Sequence, residues 1–236
     1  MAATVLVLWD IDHTLIETGG VGSDIYAAAF QQVTGHPLEK MADVSGRTEP
    51  VIFRENLRLN DVDGPADLFA AFAEHQARLY LERAGEMRKR GRALPGAEEA
   101  LRAISAEEDL IQSVLTGNTR PSSVAKLGAF GLDGFLDLDS GAYGTDNDIR
   151  AELVGIAQHR AANNHRATFN AATTVLIGDT PNDVIAARNG GARIIAVATG
   201  KDSTDDLAAE GASTVFGDLS DTAALLHAIQ NDHADR

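Results

Sequence analysis

The chain of 236 residues contains no cysteine. That excludes disulfides, thiolate metal ligands and a cysteine nucleophile, and it is compatible with a reducing compartment. Positive charge is also scarce, with 20 Lys and Arg against 35 Asp and Glu and a formal net charge of -15. So acidic a surface argues against nucleic acid or an anionic membrane as the main partner. An anionic substrate must then be drawn in by local cations, not by the global field. No apolar stretch approaches the roughly 20 residues needed to cross a bilayer. The first residues carry no basic segment and no apolar run long enough for a secretion signal, so a cytoplasmic location is expected. Internal repeats and low-complexity tracts are missing too.

What remains is an ordinary globular composition, 44% hydrophobic and 23% charged, long enough for one large domain or a core with an insert. Short apolar runs rich in β-branched residues read as buried strands: Val5 to Leu8, Leu110 to Leu115, Thr173 to Ile177 and Ile194 to Val197, with a weaker one at Ser213 to Phe216. Helical patterns separate them, at Pro95 to Ala106, Pro121 to Phe130, Arg150 to Ala162, Pro181 to Asn189, Thr204 to Glu210 and Leu219 to Ile229. Alternation of this kind predicts an α/β fold, a doubly wound, Rossmann-like parallel sheet. The segment from Leu15 to about Leu94 breaks the alternation. It shows no strand, only helical patterns at Asp24 to Val33, Pro50 to Leu59 and Ala66 to Arg88. That is far longer than a usual βα connection. It reads as an α-helical cap inserted at 18–91 into a core made of 1–17 and 92–236, with hinges near Glu17 to Gly20 and Gly91 to Pro95. The tail from Asn231 to Arg236 is expected to fray.

Three strand ends carry polar chemistry. The first run ends in Asp10-Ile11-Asp12-His13-Thr14-Leu15. Residues two apart on an extended chain share a side, so Asp10 and Asp12 converge at the carboxyl end of a strand, where open α/β sheets bind ligands. Two such charges about 4 Å apart repel by about 4 kcal/mol at an effective dielectric near 20, which calls for a cation. Taken alone, the pair is equally a strand running into an Asx turn. The second end, Leu115-Thr116-Gly117-Asn118, offers a hydroxyl and open backbone N–H groups to an anion, or else a plain helix cap. The third, Gly178-Asp179-Thr180-Pro181-Asn182-Asp183, holds two more carboxylates, with Thr180 and Asp183 also fitting a capping box. In a doubly wound sheet these ends share one edge. Their carboxylate oxygens are the donors expected for Mg²⁺.

In order and spacing these motifs resemble those of the haloacid dehalogenase-like hydrolases, on the phosphatase side of that superfamily. The resemblance spans nearly the whole chain, and its cap is of the helical first type. It implies that Asp10 is the nucleophile and Asp12 the acid/base. It also implies that Mg²⁺ is held by Asp10, the Asp12 backbone carbonyl and Asp179, with Asp183 nearby. Ile11, Thr116, Gly117 and Asn118 would cradle phosphate. The family's third motif is a cation at a helix start. Arg120, Lys126, Arg150, Arg160 and Arg166 stand in the interval, and Arg150 is chosen because it follows the loop Gly144 to Asp148 and opens a helix in register. Arg takes the place of the usual Lys, and no Pro follows it. By resemblance to phosphoglycolate-phosphatase-like members, Arg47 and Thr48 face the substrate's leaving group; otherwise Thr48 is an N-cap and Arg47 is solvated.

The expected function is therefore Mg²⁺-dependent hydrolysis of a small phosphomonoester through an aspartyl-phosphate, by a monomer or homodimer. Phosphosugar mutase, 2-haloacid dehalogenase and a non-catalytic binding protein are the alternatives. Asp12 weighs against dehalogenation, because dehalogenase relatives lack an acid there. In extended geometry His13 points away from both carboxylates and takes no role. Trp9 is read as packing.

Overall fold

Strand β1 (Val5–Trp9) is buried along its whole length. Its side chains alternate between two cores, as the two-residue period of a strand requires. Val5, Val7 and Trp9 enter one cluster, with Ala97, Leu101, Ile104, Leu127 and Ile229. Leu6 and Leu8 enter the other, with Leu153, Val154, Ala157, Ala186 and Ala187. Both faces are thus covered by helices, the condition for an all-parallel sheet. The computed structural model describes residues 4–65 and 67–231. In it β1, β4 (Leu110–Val114), β5 (Thr174–Gly178), β6 (Arg193–Val197) and β7 (Val215–Phe216) form one parallel sheet in the order β4-β1-β5-β6-β7. Helices α5 (Ala97–Ser105), α6 (Arg120–Phe130) and α10 (Thr222–Asn231) pack on the first face. Helices α7 (Arg150–His165) and α8 (Pro181–Gly190) pack on the second. A further helix, α9 (Thr204–Glu210), leads to β7. Trp9 is fully buried as packing, its indole N–H donated to Gln112 Oε1 at 3.2 Å.

The chain leaves β1 one way to reach β4 and then crosses to β5 on the other side of β1. That reversal opens a crevice at the carboxyl end of β1, between β4 and β5.

Among the described residues four helices intervene between the first two strands of the sheet: α1 (Val21–Thr34), α2 (Glu49–Leu59), α3 (Leu68–Glu82) and α4 (Ala84–Arg90). Their core is aromatic, with Phe53 and Phe72 ring centroids 4.6 Å apart and the Tyr26 ring 4.8 Å from that of Phe72, tilted by 55°. A second apolar cluster, of Val21, Ile25, Tyr80 and Met87, seats these helices on Ala125 and Ala129 of α6.

Three details correct the reading from sequence. A two-stranded antiparallel ribbon, β2 (Ile16–Glu17) with β3 (Arg92–Ala93), stands where no strand is expected. With two residues per strand it is too short to show any periodicity. It brings entry and exit together, and Gly19, at φ 61, would place a Cβ 2.1 Å from the Arg90 carbonyl oxygen. The single helix expected from Ala66 to Arg88 is two helices, broken where Arg83 opens to φ -100, ψ 15. The break turns Met87 into the cluster on α6; Ala66 itself lies outside the described residues. Third, α10 starts at Thr222 instead of Leu219, because the Leu219 N–H is held by the Pro95 carbonyl in a loop. Residues 232–236 of the expected frayed tail also lie outside the described residues. Among the described residues no helix is long and apolar enough to cross a membrane.

Candidate active site

Asp10 follows β1 directly, its N–H donated to the Ile177 carbonyl of β5. Thr116 lies just beyond β4, its N–H on the Ala142 carbonyl, and Asp179 follows β5. The three strand ends therefore converge on the crevice. A cavity of about 720 Å³ opens there, bounded below by Asp10, Asp12, Thr116, Arg150 and Asp179 and above by Tyr26, Arg47, Gln76 and Tyr80 of the helical segment.

Carboxylate oxygens of Asp10, Asp179 and Asp183 lie within 4.8 Å of one another, and all three residues are buried. Burial pushes the Asp179 carboxyl up to about 8, and the charges on Asp10 and Asp183 add to it. Asp10 is raised to about 6, again by burial, with Arg150 holding it back. Such a cluster carries more negative charge than its surroundings compensate. Hard oxygen donors so arranged suit a divalent cation such as Mg²⁺. Thr14, between motif residues and not singled out from sequence, donates its hydroxyl to Asp179 Oδ1 at 3.0 Å and fixes that carboxylate.

Arg150, at the first position of α7, reaches Asp10 Oδ2 at 3.1 Å and Asp183 Oδ1 at 2.7 Å. Asp183 is doubly employed. Its Oδ2 accepts from the Thr180 N–H and hydroxyl, completing the capping box of α8, while Oδ1 takes the guanidinium. Its first role is thus to orient Arg150 and the helix. Two donors meet each of its oxygens, so its four lone-pair sites are taken up by Arg150 and Thr180.

Gly117 sits where the loop after β4 meets the start of α2, and a Cβ there would lie 2.0 Å from the Arg47 carbonyl oxygen. The absent side chain lets the Glu49 N–H donate to the Gly117 carbonyl at 2.8 Å. Thr116 is fully buried, and its hydroxyl accepts from Asn118 Nδ2 at 2.8 Å. Ile11 is likewise buried in the core, which leaves only its backbone to offer.

Arg47 lines the cavity and donates to the Asp43 carbonyl at 3.0 Å. Thr48 is the N-cap residue of α2 but makes no side-chain cap bond; its hydroxyl donates to the Asp148 carbonyl, and it lines a separate, smaller cleft. The structure therefore brings Arg47 to the main cavity and not Thr48. The extended geometry assumed for His13 does not persist. It adopts φ 60, in the left-handed region, and borders the cavity.

Sequence reasoning passed over the cation beside Asp12. Lys126 on α6 donates to Asp12 Oδ2 at 2.7 Å and Oδ1 at 3.0 Å, and to Asn118 Oδ1 at 2.6 Å. Asn118 Nδ2 in turn donates to Asp12 Oδ2 at 2.7 Å. Burial alone would raise Asp12, but Lys126 and Asn118 more than reverse it and hold the carboxyl below its ordinary range. Glu49, also unforeseen, is buried and shifted upward by that burial, and accepts from Gln76 Nε2 at 2.8 Å. Lys126 left a readable trace: Ser122, Ala125, Lys126 and Ala129 fall on one buried helical face. A lysine within such a face requires a buried partner.

The family model described as haloacid dehalogenase-like hydrolase matches residues 7–188. A curated relative, "Probable phosphatase IndB" of Dickeya dadantii, is 28% identical over 237 residues, covering 95% of this chain and 94% of that one. A "Phosphoglycolate phosphatase" of Agrobacterium fabrum is 26% identical over 201 residues, covering 83% and 81%. Among solved structures, a hydrolase from Pseudomonas syringae superposes with a TM-score of 0.68 at 21% identity, over 96% of this chain and 99% of that one. At that identity the likeness speaks for the fold alone.

Proposed function

The chain belongs to the haloacid dehalogenase-like hydrolase family, and from that premise we propose that it is a Mg²⁺-dependent phosphatase acting on a small phosphomonoester through an aspartyl-phosphate. The observation that carries the reading is the second carboxylate: Asp12 opens onto the same cavity as Asp10 and is held there by hydrogen bonds. Cleaving a phosphoester requires a proton for the departing alkoxide, whereas cleaving a carbon–halogen bond does not. The names of the two curated relatives point the same way.

In this mechanism a carboxylate oxygen of Asp10 attacks phosphorus and the ester P–O bond breaks. Asp12 is held ionised in the free site by Lys126 and Asn118. It takes up the proton of a monoanionic ester and gives it to the departing oxygen, then takes one from the water that hydrolyses the aspartyl-phosphate, releasing phosphate and freeing the Asp10 carboxylate. Arg150, bonded to Asp10, sets the nucleophile's orientation and offsets charge on the transferring group. Thr116, the backbone at Ile11 and Gly117, and Asn118 receive the phosphoryl oxygens. Asp10, the Asp12 carbonyl and Asp179 would hold Mg²⁺, with Asp183 beside them; when bound, the ion offsets the phosphoryl charge. Residues 18–91 act as a cap that shields the reaction from water, and residues 1–17 and 92–236 as the catalytic core. Arg47, on the cap side, meets the leaving group, which favours a substrate whose leaving group bears a carboxylate, such as a phosphoglycolate-like molecule.

Purified protein with Mg²⁺ is offered p-nitrophenyl phosphate, 2-chloropropionate and glucose 1-phosphate. Phosphate release from p-nitrophenyl phosphate, with no chloride release, is expected. Chloride release, or isomerisation of the sugar phosphate without net hydrolysis, would overturn the reading. A panel of phosphorylated metabolites then identifies the preferred leaving group.

A further inference from the structure

Among the described residues, Lys126 is the buried cation that takes no step of its own in this mechanism. An ammonium has three N–H donors, and those of Lys126 meet three acceptors, Asp12 Oδ1, Asp12 Oδ2 and Asn118 Oδ1. Grasping both oxygens of one carboxylate fixes the orientation of its plane, not merely its charge. Asn118 closes the arrangement by donating its amide N–H to Asp12 Oδ2.

The position of Lys126 is itself determined from two sides. Its stem rises from α6, a helix of the sheet's own layer, and its side chain is 6% exposed. From the opposite side Tyr80 of α3 lays its ring 4.9 Å from the Nζ atom. Gln76, also on α3, accepts from the Ser122 hydroxyl of α6 at 3.2 Å and donates to Glu49 of α2. Asp12, by contrast, keeps 35% of its side chain open to the cavity. A tightly enclosed cation therefore grips a carboxylate whose free side faces the substrate space. The other buried cation, Arg150, is spent on Asp10 and Asp183.

We propose that Lys126 is a positioning residue for Asp12, holding the acid/base carboxylate on the leaving-group side of Asp10 and acting on the reaction only through it. The inference rests on the phosphatase reading, in which Asp12 serves the leaving oxygen. A Lys126 that instead bound the phosphoryl group, or merely tied the helical segment to α6, would slow all phosphate esters alike. One that works through Asp12 matters in proportion to how badly the leaving group needs a proton.

The test compares wild type, Lys126→Met, Asp12→Asn and the double variant with Mg²⁺ on phenyl phosphate and p-nitrophenyl phosphate. Phenol, with a pKa of about 10 as for tyrosine, leaves poorly without a proton; p-nitrophenol is far more acidic. The quantity read is kcat/KM, which reports the steps up to cleavage of the ester bond. General acid catalysis contributes about 10²–10⁴-fold. Lys126→Met should therefore lower kcat/KM on phenyl phosphate by about 10–100-fold while p-nitrophenyl phosphate loses only a few-fold. The double variant should be no slower on phenyl phosphate than Asp12→Asn alone. Equal losses on both esters, or a double variant slower by the product of the single effects, would overturn the proposal. Melting with Mg²⁺ checks that each variant folds. If Lys126→Met does not fold, the decision passes to Asp12→Asn against the double variant, in which no carboxylate is left unpaired. A wild-type protein inactive on both esters would instead overturn the phosphatase reading itself.

Discussion

Replacing Asp179 with Asn tests the charge imbalance of the carboxylate cluster directly. Asp179 is 2% exposed, and burial together with Asp10 and Asp183 brings its carboxyl to about 8 in the metal-free fold. In the unfolded chain an Asp titrates near 3.9. The folded state therefore binds more protons than the unfolded state between about pH 4 and 8, and stability must fall as pH rises through that window. At about 1.4 kcal/mol per pH unit, the cost reaches on the order of 4 kcal/mol at neutral pH. Asn carries no such titration, and its amide oxygen can still accept from the Thr14 hydroxyl. In EDTA, unfolding followed against pH should show wild type weakening from pH 5 to 8. Asp179→Asn should keep only the smaller decline due to Asp10, raised to about 6. At pH 8 the variant should melt higher, by about 2–4 °C per kcal/mol for a chain of this size. Saturating Mg²⁺ should reverse the order, because an ion bound only by the folded state stabilises it. A pH slope equal in both proteins, or an equal gain from Mg²⁺, would refute the reasoning.

Other substitutions probe separate parts of the site. Asp10→Asn should abolish turnover of p-nitrophenyl phosphate, and substantial remaining Mg²⁺-dependent activity would contradict its place as nucleophile. Arg150→Met strips the partner from two buried carboxylates. Urea unfolding without metal should show a loss of about 3–5 kcal/mol, and an unchanged midpoint would mean that the pairs contribute nothing net. Arg47→Ala should raise KM for a substrate whose leaving group bears a carboxylate much more than for p-nitrophenyl phosphate, a comparison that equal increases would decide against.

Much of the fold was legible because its strands are short, continuous apolar runs and its helices are bounded by Pro, Thr and Gly. Asp10, Thr116 and Asp179 could be placed together from sequence because each ends such a run, and a doubly wound sheet gathers those ends. The two-residue ribbon of β2 and β3 was not legible, since pairing there depends on Gly19 packing on Arg90 and not on any local pattern. Arg83 likewise carries no breaker signal; the division between α3 and α4 is imposed by the packing of Met87 on α6. Thr48 reads equally as a helix cap and as a substrate contact, and only the path of its hydroxyl to Asp148 shows where it points.

The two buried cations of the site divide the work in a way that sequence order conceals. Reading for a single third-motif cation forces a choice between Lys126 and Arg150, yet each meets a different carboxylate. Arg150 is bonded to Asp10 and Asp183, on the side of the buried carboxylate cluster. Lys126 is bonded to Asp12 and Asn118, on the side of the cavity covered by α3. The proposed nucleophile and acid/base are both Asp, two residues apart, and nothing intrinsic distinguishes them. Their surroundings do. Asp10 is pushed up to about 6 by burial among other carboxylates, whereas Lys126 and Asn118 draw Asp12 below its ordinary range. Local cations would thus have to draw the proposed anionic substrate to a chain whose net charge is -15. On the proposed function, Arg150 and a divalent ion would have to overcome that repulsion within the few ångströms where the phosphoryl group would bind.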